Sequence, residues 1–287
     1  MFIIMGGTGH VGSATADALL GRGEAVTIVT RDPARAAGWL AKGANLVKAD
    51  VEDVPSLNAA FQLGRRAFLL NPPANTAENT DVVERRTVAK ILRALEGSGL
   101  EKVVAESTGG AQPGERIGDL NVLWELEEGL RAQAIPAAIN RAGYYMSNWD
   151  GLLKTAAATG KLPTMFPADV LIPMVSPEDL GKAAADRLSS PLADVGVRYV
   201  EGPRRYSSED VAKAFSARLG TLVALSVIPR GEWKEAFLQL GFSEAAAASY
   251  ASMTAVSLDG GFDLADDPIR GSTTLDAYVQ KLALDVG

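Results

Sequence analysis

The sequence contains no cysteine and a single histidine, His10, among its 287 residues. The first absence excludes disulfides, thiolate nucleophiles and thiolate metal ligands. The second leaves no histidine-based metal cluster and no Ser-His-Asp triad away from position 10. No bound metal is expected. No apolar run approaches the roughly 20 residues that cross a bilayer, and the apolar start at 1–5 is too short, and too soon followed by glycine, for a secretory signal. Lysine and arginine never run for more than two residues, and the formal net charge is −7. An acidic chain of this kind repels phosphate backbones, so nucleic-acid binding is not expected. A cysteine-free chain without leader or membrane span suits the cytoplasm, as a monomer or a homodimer.

What is present is a large apolar fraction, 47% of residues, enough for a substantial core. In the first half, short apolar runs alternate with amphipathic stretches. Strands are expected at 2–5, 25–30, 45–48, 67–70, 102–106 and 137–140, and helices at 11–20, 33–41, 55–61, 77–98 and 120–134. Strands separated by helical patterns imply right-handed crossovers and a parallel sheet. After Arg141 the pattern becomes less regular. Strands are expected at 170–175 and 197–200, and helices at 177–188, 208–219, 230–240, 243–257 and 274–284. The fold class is therefore α/β: a Rossmann-type doubly wound parallel sheet with a smaller C-terminal α/β cap region. Residues 1–141 form the dinucleotide-binding domain, with later segments returning to the sheet, and 142–287 form mostly a substrate-binding cap.

The most informative segment is Gly6-Gly7-Thr8-Gly9-His10-Val11-Gly12. Its glycines fit Gly-x-Gly-x-x-Gly and the short-chain variant Gly-x-x-Gly-x-x-Gly. One glycine makes the tight turn, one lets a pyrophosphate approach the backbone, and one brings helix close to strand. The helix that follows presents free N–H groups to phosphate oxygens. A strand before the motif and a helix after it supply the context a bare glycine pattern lacks.

About 20 positions on, an NAD site carries an acid that binds the ribose 2′-hydroxyl. Here Thr30-Arg31-Asp32 occupies that place. Arg31 can form a bidentate contact with a 2′-phosphate, and Arg35 adds charge. Asp32 is the competing signal. NADP(H) is the expected cofactor.

The loop, Arg31, Ala49-Asp50-Val51, Asn71-Pro72-Pro73 and Arg141-Ala142-Gly143-Tyr144-Tyr145 together resemble the NmrA-like family of atypical short-chain dehydrogenases, its quinone reductase and triphenylmethane reductase members above all. Later segments fit the same pattern: Ser176-Pro177-Glu178-Asp179-Leu180, Gly202-Pro203 with Ser208-Glu209-Asp210-Val211-Ala212, and 271–278. The resemblance covers essentially the whole chain. It implies that Gly6, Thr8, Gly9, His10, Val11 and Gly12 form the phosphate loop and that Arg31 meets the adenosine phosphate. By the same resemblance Asp50 and Val51 flank the adenine, Asn71, Pro72 and Pro73 lead to the nicotinamide ribose, and Ser107 and Thr108 close strand five.

Short-chain dehydrogenases use Ser/Thr with a Tyr-x-x-x-Lys pair, which places both side chains one turn apart on one helix face. The tyrosine gives a proton to the carbonyl oxygen and the lysine lowers its pKa. Thr108 stands at the Ser/Thr place. Aligned by Glu127-x-x-Leu130, the tyrosine place holds Asp119 and the lysine place Leu123. No catalytic residue is assigned on this basis. Two readings follow. The first is an NADP(H)-dependent reductase passing hydride directly to a strongly electrophilic, apolar small-molecule acceptor, a quinone or a dye, with Tyr144, Tyr145, Met146 and Trp149 walling the pocket and Trp124 a weaker candidate. The second is a non-catalytic NADP(H) sensor that reports redox state to a protein partner, as NmrA-type regulators do. The acidic pairs Glu127-Glu128 and Asp266-Asp267 are expected on the solvated surface.

Overall fold

The protein, described by a computed structural model over residues 1–260 and 262–283, begins with a wholly buried apolar strand, β1 (Phe2–Ile4). Helix α1 (His10–Leu20) follows a glycine turn. Strand and helix then alternate through β2 (Val26–Thr30), α2 (Gly38–Ala41), β3 (Asn45–Lys48), α3 (Val54–Phe61), β4 (Arg66–Leu69), α4 (Thr80–Leu95), β5 (Lys102–Thr108), α5 (Asp119–Arg131) and β6 (Ala137–Ala142). The second half comprises β7 (Tyr144–Tyr145), a 3-10 turn (Met146–Trp149), α6 (Asp150–Thr159), β8 (Lys161–Thr164), β9 (Met174–Val175), α7 (Pro177–Ser189) and β10 (Gly196–Glu201). It continues with α8 (Ser208–Leu219), β11 (Ala224–Val227), α9 (Trp233–Gln239), α10 (Glu244–Asp259), β12 (Ile269–Arg270) and α11 (Leu275–Gln280).

Eight strands form one parallel sheet in the order β3-β2-β1-β4-β5-β6-β10-β12. The order reverses between β1 and β4, which opens a crevice at the carboxyl ends of these strands, the usual ligand position in such sheets. Successive strand residues point to opposite faces. Ile4, Ile28, Phe68, Val104 and Ala138 pack against α1 and α7, while Ile3, Ala67, Leu69, Val103 and Ile139 pack against α3, α4 and α5. Both faces are covered, as an all-parallel sheet requires. A third cluster, built on Met146, Trp149, Ile172, Tyr206 and Phe215, forms the core of the second half. Helices α1 and α7 meet so closely that a Cβ at Gly181 would strike Ala14 and come within 2.6 Å of the Thr15 nitrogen.

Local chemistry moved several expected boundaries. Asp32 accepts the Ala34 N–H, and residues 33–37 wind as i→i+3 turns, so only Gly38–Ala41 of the expected 33–41 helix is α-helical. Asn79 caps α4 and sets its start at Thr80 rather than 77. Pro173 has no N–H to give a ladder, and the expected 170–175 strand shrinks to Met174–Val175 plus a single bridge at Ile172. Helix α6 and strand β8 were not foreseen. The last helix ends at Gln280, and the end expected at Leu284 lies outside the described residues. Among the described residues, no helix is long and apolar enough to cross a membrane.

Candidate functional site

The glycine turn shows why those positions exclude side chains. Gly6 has φ +65°, a left-handed conformation that favours glycine. A Cβ at Gly12 would lie 2.7 Å from the Met5 carbonyl oxygen and closer still to that of Gly6. The turn is closed by the Gly9 N–H on the Gly6 carbonyl at 2.8 Å. Gly9 is extended and no side chain caps α1, so the first N–H groups of this eleven-residue helix face the crevice without a side-chain partner. Thr8, Gly9 and His10 are exposed there, while Val11 and Gly12 are buried behind them.

At the end of β2, Arg31 and Arg35 are exposed. Asp32 is turned into its own loop, where Oδ1 accepts the Ala34 N–H at 3.0 Å. Asp50 accepts the Glu52 N–H at 2.9 Å, and Val51 packs on the core beside α3. Asn71 is held by α4: its amide donates to the Glu84 carbonyl at 3.3 Å, and its oxygen accepts from Thr87 at 2.6 Å.

A cleft of about 470 Å³ runs from the glycine turn across the ends of β4, β5 and β6. Of the residues singled out in the sequence, Gly9, His10, Val11, Asn71, Pro73, Thr108, Tyr144 and Tyr145 line it. Gly6 and Gly12 shape the turn beneath, and Arg31, Asp50 and Val51 stand at the β2–β3 side beyond the cleft. Met146 and Trp149 are not on its wall. Both are buried in the core of the second half, and Trp149 supports the Tyr144 ring from behind at 5.9 Å between centroids. The wall they were expected to form is made by Phe166, 5.2 Å edge-on from Tyr144, with Phe262 beyond it at 6.1 Å and Met253 of α10.

Sequence reasoning missed four acids. Glu84, Glu106, Glu201 and Asp263 line the same cleft, beside Asp119 at the tyrosine place. Glu106 is 2% exposed, and among the described residues neither of its carboxyl oxygens has a hydrogen-bond partner. Burial pushes its carboxyl well above the usual range. Glu84 is 3% exposed and is pushed up to about 8, first by burial and then by the Asp119 carboxylate. Asp119 is raised as well, by burial and by Asp81. Two signals were readable. Glu84 falls on the inward stripe of α4 with Thr87, Val88 and Ile91, and Glu106 interrupts an apolar strand. Asp119 and Leu123, at the tyrosine and lysine places, both face the cleft.

Raised carboxyls impose a pH dependence on stability. Glu84 keeps its proton in the folded chain up to about 8, whereas the unfolded carboxyl loses it near 4.3. Its stabilising contribution is full below the unfolded value, declines as pH rises and is spent beyond the folded one. Glu106 acts in the same direction. The lowered acids Glu52, Glu178 and Asp194 titrate below this window. Melting temperature is expected to fall between pH 5 and pH 9, and Glu84→Gln to flatten the slope; a wild-type profile rising with pH would contradict the assignment.

The expectation of a solvated Glu127 is corrected. Glu127 is 1% exposed and takes Arg141 in two bonds, Nε at 2.8 Å and the second guanidinium nitrogen at 2.9 Å. Ser107 donates to the same carboxylate at 2.6 Å, and Arg131 adds an ion pair at 2.9 Å. Only Glu128 of that pair is exposed, because neighbours on a helix point about 100° apart. Asp266 and Asp267 are exposed. Among the described residues, no cluster of three or more His, Asp or Glu could hold a metal ion.

The sequence profile of the NmrA-like family matches residues 1–279. An NAD(P)H azoreductase from Xenophilus azovorans is 24% identical over 248 residues, 86% of this chain and 84% of that protein. Among solved structures, Citrobacter sp. triphenylmethane reductase complexed with NADP(H) superposes with a TM-score of 0.81 at 18% identity, covering 98% of this chain and 99% of that one. The NADPH-dependent quinone oxidoreductase of Escherichia coli complexed with NADPH gives 0.80 at 20% identity, covering 97% and 98%.

Proposed function

The chain belongs to the NmrA-like family, and from that membership we propose that it is an NADP(H)-dependent reductase passing hydride directly to an electrophilic, apolar acceptor of the quinone or dye type, without a Tyr-Lys pair. One observation carries the reading. One cleft joins the glycine turn at Gly9 and His10 to an aromatic wall at Tyr144, Phe166 and Phe262. The azoreductase relative and the quinone and dye reductases of the same fold act in the same chemical class.

The residues fit the dinucleotide. Gly6, Thr8, Gly9, His10, Val11 and Gly12 would hold the pyrophosphate against the start of α1. Asp50 and Val51 would border the adenine, and Asn71, Pro72, Pro73 and Thr108 the nicotinamide half. Arg31 is exposed and would meet a 2′-phosphate, and one carboxyl oxygen of Asp32 is held by its own turn. When bound, the reduced nicotinamide supplies hydride. The protein's share is orientation and exclusion of water by the aromatic wall. Electrophilic acceptors take hydride without a phenol-lysine pair to polarise a carbonyl, which suits Leu123 in place of lysine.

The test is NADPH oxidation across a panel of quinones and dyes, with cofactor affinity measured in parallel. NADPH is expected to bind more tightly than NADH, and Arg31→Glu to weaken NADPH by at least about tenfold, or 1.4 kcal/mol, with little effect on NADH. Equal affinities would defeat the NADP assignment. Tight NADPH binding with no turnover on any acceptor would defeat the reductase and leave a dinucleotide sensor.

A further inference from the structure

Hydride transfer to a quinone leaves a hydroquinone anion that takes up a proton, and the residue at the usual donor position is Asp119. We propose that Asp119 protonates the reduced acceptor, with Glu84 as the positioning residue that shares and resupplies its proton. The inference rests on the reductase reading above and adds to it a proton source.

The placement is built, not incidental. Asp119 opens α5 directly after Gly118, whose φ of +53° aims the helix start at the cleft. The Gly118 N–H donates to Ser249 Oγ at 2.9 Å, and that hydroxyl donates to Asp81 at 2.8 Å. The start of α5 is thereby tied to α4 and α10. Glu84, on α4, is fixed by the Ala74 N–H on its Oε1 at 2.9 Å. Glu84 and Asp119 line the same cleft, and each carboxyl perturbs the other. Two like charges at one buried site oppose joint ionisation, so the pair favours keeping one proton.

The titratable groups facing the pair are Asp81 from α4, Tyr250 from α10 and Tyr145 from β7. None supplies positive charge, so nothing among them compensates a doubly ionised pair. Burial and Asp81 hold a proton on it at neutral pH, with Glu84 raised to about 8. Tyr145 and Tyr250, the hydroxyls among these groups, are both pushed above a normal phenol and are the poorer acids.

The step balances. Hydride carries two electrons from the reduced nicotinamide to the quinone. The O–H bond of Asp119 breaks as an O–H bond forms on the hydroquinone anion. The Glu84 proton passes to Asp119, and solvent returns one to the pair. The sum is quinone, reduced nicotinamide and one proton giving hydroquinone and oxidised nicotinamide. A triarylmethane dye cation needs only the hydride, because its product is neutral.

This difference supplies the test. Turnover is measured on a quinone and on a triarylmethane cation with wild type, Asp119→Asn and Glu84→Gln. Each variant is expected to lose at least about tenfold more quinone than dye turnover, within the range for a general acid. In the wild type, the quinone-to-dye ratio should fall as pH passes 8. Infrared difference spectra of the cofactor-free protein at pH 7, wild type minus each variant, should show a protonated carboxyl band separate from that of Glu106. Equal losses on both acceptors, a flat ratio with pH, or the absence of such a difference band for both variants would overturn the proposal while leaving the reductase reading intact. Absence of turnover on every acceptor would remove the reductase reading and the proton step with it.

Discussion

Glu127→Ala is expected to lower unfolding stability by about 3–5 kcal/mol, the range for breaking a buried ion pair from one side. Its carboxylate ties α5 to the end of β6 through Arg141 and to the end of β5 through Ser107. Removing it strands Arg141, whose side chain is 14% exposed and whose guanidinium Glu127 holds firmly charged. Among the described residues, Arg141 keeps Tyr199 and Asp263, near the mouth of the cleft. The buried Ser107 hydroxyl loses its acceptor too, a further cost of about 1–3 kcal/mol where no water reaches it. Glu127→Gln retains the shape and part of the bonding and should cost about half as much. Urea unfolding of the three proteins checks the order; a loss for Glu127→Ala under about 1 kcal/mol would mean the network is not a structural clamp.

Gly12→Ala is expected to weaken NADPH binding on the order of 100-fold, or about 2.7 kcal/mol. The new methyl would meet two backbone carbonyl oxygens, those of Gly6 and Met5. Backbone cannot rotate aside as a side chain does, so α1 must slide away from β1. Its first N–H groups then leave the position at which they meet phosphate, and misplacement near 1 Å is enough for a loss of this size. Stability should fall by about 1–3 kcal/mol through the same overpacking. Gly38→Ala is the control, because a Cβ there meets nothing within 4 Å. Fluorescence titration with NADPH and a thermal melt separate the two effects. Unchanged affinity in a folded Gly12→Ala protein would remove the phosphate role from the turn.

The parts legible in the sequence are those set by local periodicity and backbone demand. The glycine turn, the six strands through β6 and the existence of the helices between them follow from residue spacing, although capping at Asp32 and Asn79 moved two helix starts. The acids were not legible because their burial depends on distant partners. Glu127 reads as surface until Arg141 and Ser107 are folded onto it, and Glu84 reads as a helix charge until Ala74 and Asp119 close around it. Trp149 and Met146 failed in the opposite sense. Aromatic clustering after Arg141 marked a real apolar region, but periodicity could not separate the residues facing the cleft from those one layer behind.

The order of strands in the sheet also governs how the molecule is made. Strand β6 sits inside the finished sheet, yet its outer neighbour β10 pairs with it only once Gly196 to Val200 have been synthesised, and β12 follows with Ile269 and Arg270. Helix α7, whose Leu180, Ala184 and Leu188 cover Phe68, Val104 and Ala138, also emerges after β6. A nascent chain that has reached only β6 therefore carries an unpaired strand edge and an uncovered apolar face together. The order of emergence from the ribosome makes this an interval of raised aggregation risk, which ends as α7 and β10 are added.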